Sequence, residues 1–219
     1  MLAQRLSAEF MGTLLLVATV VGSGIMGDAL SDDTAVSLLG NTLPTGAILF
    51  VIITLFAPIS GAHFNPVVTG VFWLRGELSA RDTLLYIPVQ IGGGIAGSFI
   101  AHIMFDLPLI QLSETVRSGT GQYFSESVAS FGLLLTILMG LRSAPQQIPI
   151  LVGLYITAAY WFTSSTSFAN PAVTIARSLS DTFAGIRPSD VPMFILCQIL
   201  GALGAAFFVR YVIRDQATS

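Results

Sequence analysis

The chain has 219 residues, 53% of them hydrophobic and 10% charged, and a formal net charge of −3 with no lysine. Soluble domains carry about a quarter charged residues, so a soluble chain this poor in charge lacks material to cover its surface. The absence of a basic stripe argues against a nucleic-acid partner. In a bilayer, at roughly 20 residues per span, the length suits about six helices plus connections.

Arg5 precedes an apolar stretch, as in a signal peptide. Glu9 interrupts that stretch and no small-residue cleavage site follows, so it reads as a first membrane helix. Long apolar segments then run near Leu6–Met26, Thr42–Pro58, Thr83–Met104, Ser125–Leu141, Ile148–Thr163 and Val191–Ile213. Lipid offers the backbone no hydrogen-bond partner, so only helices or closed barrels can span. These runs are too long and too uniformly apolar for barrel strands, which predicts an all-α membrane fold. Cys197 lies in the last run. As the single cysteine it excludes an internal disulfide.

Two further apolar pieces, Phe64–Leu74 and Asn170–Leu179, are too short to cross. Each has an Asn-Pro step at its start. Asn caps helices and Pro suits the first helical position, so both read as half-helices. Surface helices outside the membrane are the alternative, but their apolar character and matching positions argue against it. Arg5, Arg75, Arg81, Arg142, Arg210 and Arg214 fall on one side of the six-span path. Arg117, Arg177, Arg187 and the acidic linker with Asp28, Asp32 and Asp33 fall on the other. The positive-inside rule then places both termini in the cytoplasm.

The two halves resemble each other within one domain of residues 1–219. Repeat 1 covers about 1–106 and repeat 2 about 122–219. Phe64-Asn65-Pro66-Val67-Val68-Thr69 matches Ala169-Asn170-Pro171-Ala172-Val173-Thr174. Pro44 and Pro149 lie equally far before the two Asn-Pro steps. Gln90-Ile91 with Gly93 matches Gln198-Ile199 with Gly201, and Glu9 and Glu126 each open a first span. Three spans per repeat force the second half to lie inverted. Inverted repeats carrying short helices point to a site near the midplane. The glycine-rich stretches at 92–97 and 201–206 suit close helix contact in lipid.

Facing helix N-termini present unpaired N–H groups and partial positive charge. Asn65 and Asn170 add side-chain amides. Such a centre satisfies solutes that accept hydrogen bonds and repels cations. No Cys/His/Asp/Glu cluster has metal spacing, so no metal, cofactor or catalytic constellation is expected. A proton-coupled transporter needs a chain of intramembrane ionisable groups, and only Glu9 and Glu126 qualify.

At this point a resemblance appears. Ser60-Gly61-Ala62-His63-Phe64-Asn65-Pro66-Val67 and Ser167-Phe168-Ala169-Asn170-Pro171-Ala172 resemble the two signature loops of the aquaporin (major intrinsic protein) family. Ala8-Glu9-Phe10-Met11-Gly12-Thr13 is similar to that family's opening helix. The resemblance covers nearly the whole chain. It implies a passive pore for small neutral solutes in a homotetramer, one pore per subunit, in a bacterial inner membrane. It makes Asn65, Pro66, Val67, Asn170, Pro171 and Ala172 the pore midpoint. It also implies that Glu9 and Glu126 are buried and bind loop amides, with His63 in the same supporting group.

Two departures stand out. Val67 replaces the usual alanine of the first motif. Val173 occupies the position after the second Asn-Pro-Ala where most relatives have arginine. The family's constriction maps to Thr45, Ala158 (or its neighbour Ala159), Ser167 and Val173. All are small, which predicts a wide, uncharged filter. Such a filter resembles that of aquaglyceroporins associated with arsenic resistance, whose solute is neutral arsenous acid. A broad polyol, urea or water facilitator is the alternative. Arg177 lies on the same helical face as Asn170 and Val173, one turn of roughly 5 Å further out. It is either a displaced vestibule charge or a snorkelling interfacial arginine.

Overall fold

A computed structural model describes residues 1–216, with side chains described through Val212. The side chain of Arg214, used above for orientation, lies outside the described residues. All described regular structure is helical: α1 (Leu2–Leu30), α2 (Thr34–Ser60), α3 (Pro66–Leu74), α4 (Ala80–Met104), α5 (Thr120–Ser143), α6 (Ile148–Phe162), α7 (Pro171–Arg177) and α8 (Val191–Gln216). Single 3-10 turns, Pro145–Gln147 and Pro188–Asp190, precede α6 and α8.

Helices α1, α2, α4 and α5, and the stretch Pro188–Val212, are long and apolar enough to cross a membrane. The fifth apolar segment is shorter in α conformation than the others: α6 has 15 residues. At 1.5 Å per residue that covers about 22 Å of a hydrocarbon core about 30 Å thick. Pro145 opens a 3-10 turn ahead of it, Pro149 sits in its first turn, and a polar serine- and threonine-rich turn ends it at Thr163. The half-helices are shorter still, nine residues in α3 and seven in α7.

The polarity of the bundle is inside out. Leu84, Phe124 and Phe207 are more than 70% exposed, whereas Glu9, Gln90, Glu126 and Gln198 are fully buried. Lipid accepts the former, and only an internal hydrogen-bond partner makes the latter tolerable. Helix α1 packs against α4 and α2, and α5 against α8 and α6. Glycine permits the tightest of these crossings. A Cβ on Gly93 would collide with the carbonyl of Phe10, and one on Gly201 with the carbonyl of Ser127. These are corresponding contacts in the two halves, α1 on α4 and α5 on α8. They bring each buried glutamate alongside its hairpin.

Candidate functional site: two hairpins meeting in a transmembrane cavity

Between α2 and α3, and between α6 and α7, the chain doubles back inside the bundle. The turns need unusual backbone. Ala62, Phe64, Ser167 and Ala169 all adopt left-handed conformations, with φ between 48° and 53°. Such residues cost about 1–3 kcal/mol each unless the surroundings hold them. Here a buried carboxylate does. Glu9 accepts from the backbone N–H of His63 (3.0 Å) and of Phe64 (2.7 Å). The Ser60 hydroxyl (2.6 Å) and the Gln90 amide (2.8 Å) also donate to it. Glu126 accepts from the N–H of Phe168 and Ala169, both at 2.9 Å, from Gln198 at 2.6 Å, and from Ser165. Gln90 also reaches Thr69 and Gln198 reaches Thr174. Each residue of the first network has a counterpart in the second.

The hairpin tips are joined to each other. Asn65 caps α3, its Oδ1 accepting from the N–H of Val67 at 3.0 Å. Asn170 caps α7 in the same way, through Ala172 at 2.9 Å and Val173 at 3.3 Å. Each amide then donates across the junction: Asn65 Nδ2 to the carbonyl of Ala169, and Asn170 Nδ2 to the carbonyl of Phe64, both at 2.8 Å. An amide nitrogen carries two hydrogens, so one N–H on each Asn remains for another acceptor. Pro66 and Pro171 are the first residues of the half-helices. Val67 and Ala172 follow them, buried behind the junction.

A cavity of about 560 Å³ runs past this junction, from Leu141 and Gln146 at one end to Phe168 and Arg177 at the other. Asn65, Asn170, His63, Thr45, Ser167 and Val173 line it, in a wall that is otherwise mostly apolar. His63 is held by a 3.1 Å contact to the Thr69 hydroxyl. Glu9 and Glu126 stand behind the wall.

The structure does not place Ala158 with Thr45, Ser167 and Val173. Ala158 is exposed on the outside of α6, and Ala159 is buried but does not line the cavity. The lining residues of α6 are Ile148 and Pro149 in its first turn, then Val152, Ile156 and Tyr160, spaced by four. Ala158 is two residues from both Ile156 and Tyr160, which puts it on the opposite face. Tyr160 therefore contributes where a small residue was expected, its hydroxyl 3.4 Å from that of Thr45. The lining is also not uncharged. Arg177 is 2% exposed, borders the cavity, and does not snorkel to the surface. Its Nε donates to the carbonyl of Ala184, and its guanidinium stacks on Phe168, 3.4 Å from the ring centroid.

Sequence reasoning missed Tyr160, Phe168, Ser60 and Ser165. The i, i+4 stripe of larger residues in α6 was a signal for Tyr160. The two serines stand five residues before their respective Asn-Pro steps, a second copy of the repeat pattern.

Two half-helices capped by Asn and meeting tip to tip beside a lined cavity, inside an all-helical membrane bundle, define a channel architecture. The family model described as Major intrinsic protein matches residues 1–167, and the chain belongs to that family. The chain is 55% identical to aquaglyceroporin AqpS of Rhizobium meliloti (strain 1021), over 97% of this chain and 91% of that protein. It is 31% identical to probable aquaporin PIP2-7 of Oryza sativa subsp. japonica, over 99% of this chain and 81% of that one. The X-ray structure of the aquaglyceroporin from Plasmodium falciparum superposes with a TM-score of 0.74 at 21% identity, covering 96% of this chain and 95% of its own, a likeness of fold.

Proposed function

We propose that this multi-pass membrane protein is a passive channel for small uncharged hydroxylated solutes and water. The carrying observation is the junction of Asn65 and Asn170, which leaves one amide N–H on each side for a solute in the cavity. These two residues form the pore midpoint. Pro66, Val67, Pro171 and Ala172 set the direction of the half-helices, and Glu9, Glu126 and His63 support the hairpins. Thr45, Ser167 and Val173 form the filter, with Tyr160 in place of Ala158. Arg177 supplies a positive charge to the outer vestibule, one turn from the position that Val173 leaves neutral.

Polyols such as glycerol, and arsenous acid as a tri-hydroxyl analogue, fit this hydrogen-bonding chemistry, and likeness to a protein named aquaglyceroporin supports the class. The proposed setting is a homotetramer in a bacterial inner membrane with both termini cytoplasmic. Residues 1–106 and about 122–219 act as inverted copies within one domain. No catalytic step is assigned. Proton coupling is disfavoured because Glu9 and Glu126 are each engaged by backbone and side-chain donors at the hairpins.

The test is solute entry into proteoliposomes, followed by light scattering, with and without an imposed proton gradient. Glycerol and water flux that ignores the gradient is expected. Flux that follows the gradient would overturn the channel reading in favour of a coupled transporter.

A further inference from the structure

Arg117 belongs to the connection between α4 and α5, far in sequence from both hairpins. That connection lies along the segment that follows α7. Ser113 N–H donates to the carbonyl of Ser178, Glu114 N–H to the Asp181 carboxylate, and Arg187 N–H to the carbonyl of Thr115. At the end of this run the Arg117 side chain turns inward. Its Nε donates to the carbonyl of Gly185 at 2.7 Å. Nη1 reaches the carbonyl of Ser165 at 3.4 Å and the Thr166 hydroxyl at 3.5 Å. Its guanidinium carbon lies 5.0 Å from the centroid of the Phe168 ring.

Arg177 uses the neighbouring groups. It donates to the carbonyl of Ala184, one residue before the carbonyl that Arg117 uses, and it stacks on the same Phe168 ring. The two guanidinium groups repel each other. Among the described residues the ion pairs are Arg5–Asp82, Arg75–Glu77 and Arg187–Asp190, so neither side chain has a carboxylate partner. Carbonyl dipoles, the face of one aromatic ring and the more distant charge of Glu126 hold both cations. Ser167, between the Thr166 and Phe168 that Arg117 touches, lines the cavity with a buried hydroxyl that has no hydrogen-bond partner. Its direction depends on how its two neighbours are held.

On the reading that the chain is a channel, we propose that Arg117 is a specificity-determining positioning residue. It ties the α4–α5 connection to the second hairpin, fixes Phe168 and Ser167 in the pore wall, and adds a second positive charge behind Arg177. Its planar fork can serve Gly185, Ser165 and Phe168 at once, which a lysine ammonium cannot. Losing the fork frees Phe168 and Ser167 and widens the outer mouth. Losing the charge weakens the barrier to cations.

The test compares Arg117→Gln, Arg117→Lys and Asp181→Ala in the full-length protein reconstituted in liposomes. Glycerol and water permeability and the rate of proton leak are read from the same vesicles. Asp181→Ala loosens the same connection through Glu114 without touching Phe168 or Arg177. In Arg117→Gln the glycerol-to-water permeability ratio is expected to rise about threefold or more, and the leak to rise with it. Arg117→Lys is expected to raise the ratio while holding the leak near wild type, and Asp181→Ala to change neither. The ratio is independent of how much protein folds, and the lysine variant decides the point if the glutamine variant does not accumulate. A wild-type ratio in folded Arg117→Gln or Arg117→Lys overturns the proposal. So does a change in Asp181→Ala equal to that in the arginine variants. A wild-type protein that passes neither solute overturns the channel reading itself, and this proposal with it.

Discussion

The first hairpin, Ser60 to Leu74, and the second, Ser165 to Arg177, are supported by the same set of side chains. Each has a glutamate, a glutamine, a threonine and a serine at matching positions, and each Asn caps its own half-helix while donating to the opposite tip. Beyond the tips they diverge. The first carries His63, seated against Phe72 and Tyr86 with ring centroids 4.6 and 5.8 Å away. The second carries Ser167 and a Phe168 ring stacked by two arginines. What is duplicated is what backbone geometry requires of any such hairpin. What differs (His63 on one side, Ser167 and Phe168 on the other) lines the cavity, where on the proposed reading it would choose among solutes.

Removing a duplicated support is expected to have the largest effect, and a similar one on either side. Glu9→Ala and Glu126→Ala each remove the acceptor of two backbone N–H groups and of one N–H of a buried glutamine amide, whose other N–H keeps its threonine. About 3 kcal/mol or more of stability is lost in each, visible as lower thermal stability in detergent. A collapse of one hairpin variant beside a stable other would break the symmetry of supports. Enlarging a crossing comes next. Gly93→Leu and Gly201→Leu drive a side chain into the facing carbonyls of Phe10 and Ser127. Each is expected to cost about 1–3 kcal/mol, measured in the same melting assay.

Smaller effects belong to one side only. Tyr160→Ala removes the aromatic that faces Thr45. Glycerol permeability is expected to rise relative to water by about threefold, and an unchanged ratio would remove Tyr160 from the filter. Arg177→Ala is expected to raise cation leak relative to glycerol flux, the half-helix dipoles remaining as the other barrier. Leak equal to wild type would leave Arg177 a packing residue.

The shared half of this comparison was legible in the sequence. Asn-Pro steps, paired glutamates and a Gln–Gly spacing recur in both halves, because the backbone of an internal hairpin demands the same donors and acceptors wherever it occurs. The all-helical membrane fold follows from apolar run lengths alone. The unshared half was harder to read. Ala158 came from mapping the family's constriction onto the chain, but within the continuous helix α6 the cavity face runs through Val152, Ile156 and Tyr160, and Ala158 falls on the opposite face. The joint contact of Arg117 and Arg177 with Phe168 links residues on three separate segments. No local pattern announces it.

The most direct test sets Val173→Arg against Val68→Arg, the corresponding position three residues after the first Asn, which also lines the cavity. The measurement is the glycerol-to-water permeability ratio in proteoliposomes, with each protein quantified after reconstitution. If the second hairpin selects, Val173→Arg lowers the ratio about tenfold while water still passes, and Val68→Arg reduces both fluxes together. An equal fall in the ratio for both variants, or none in Val173→Arg, would contradict the account.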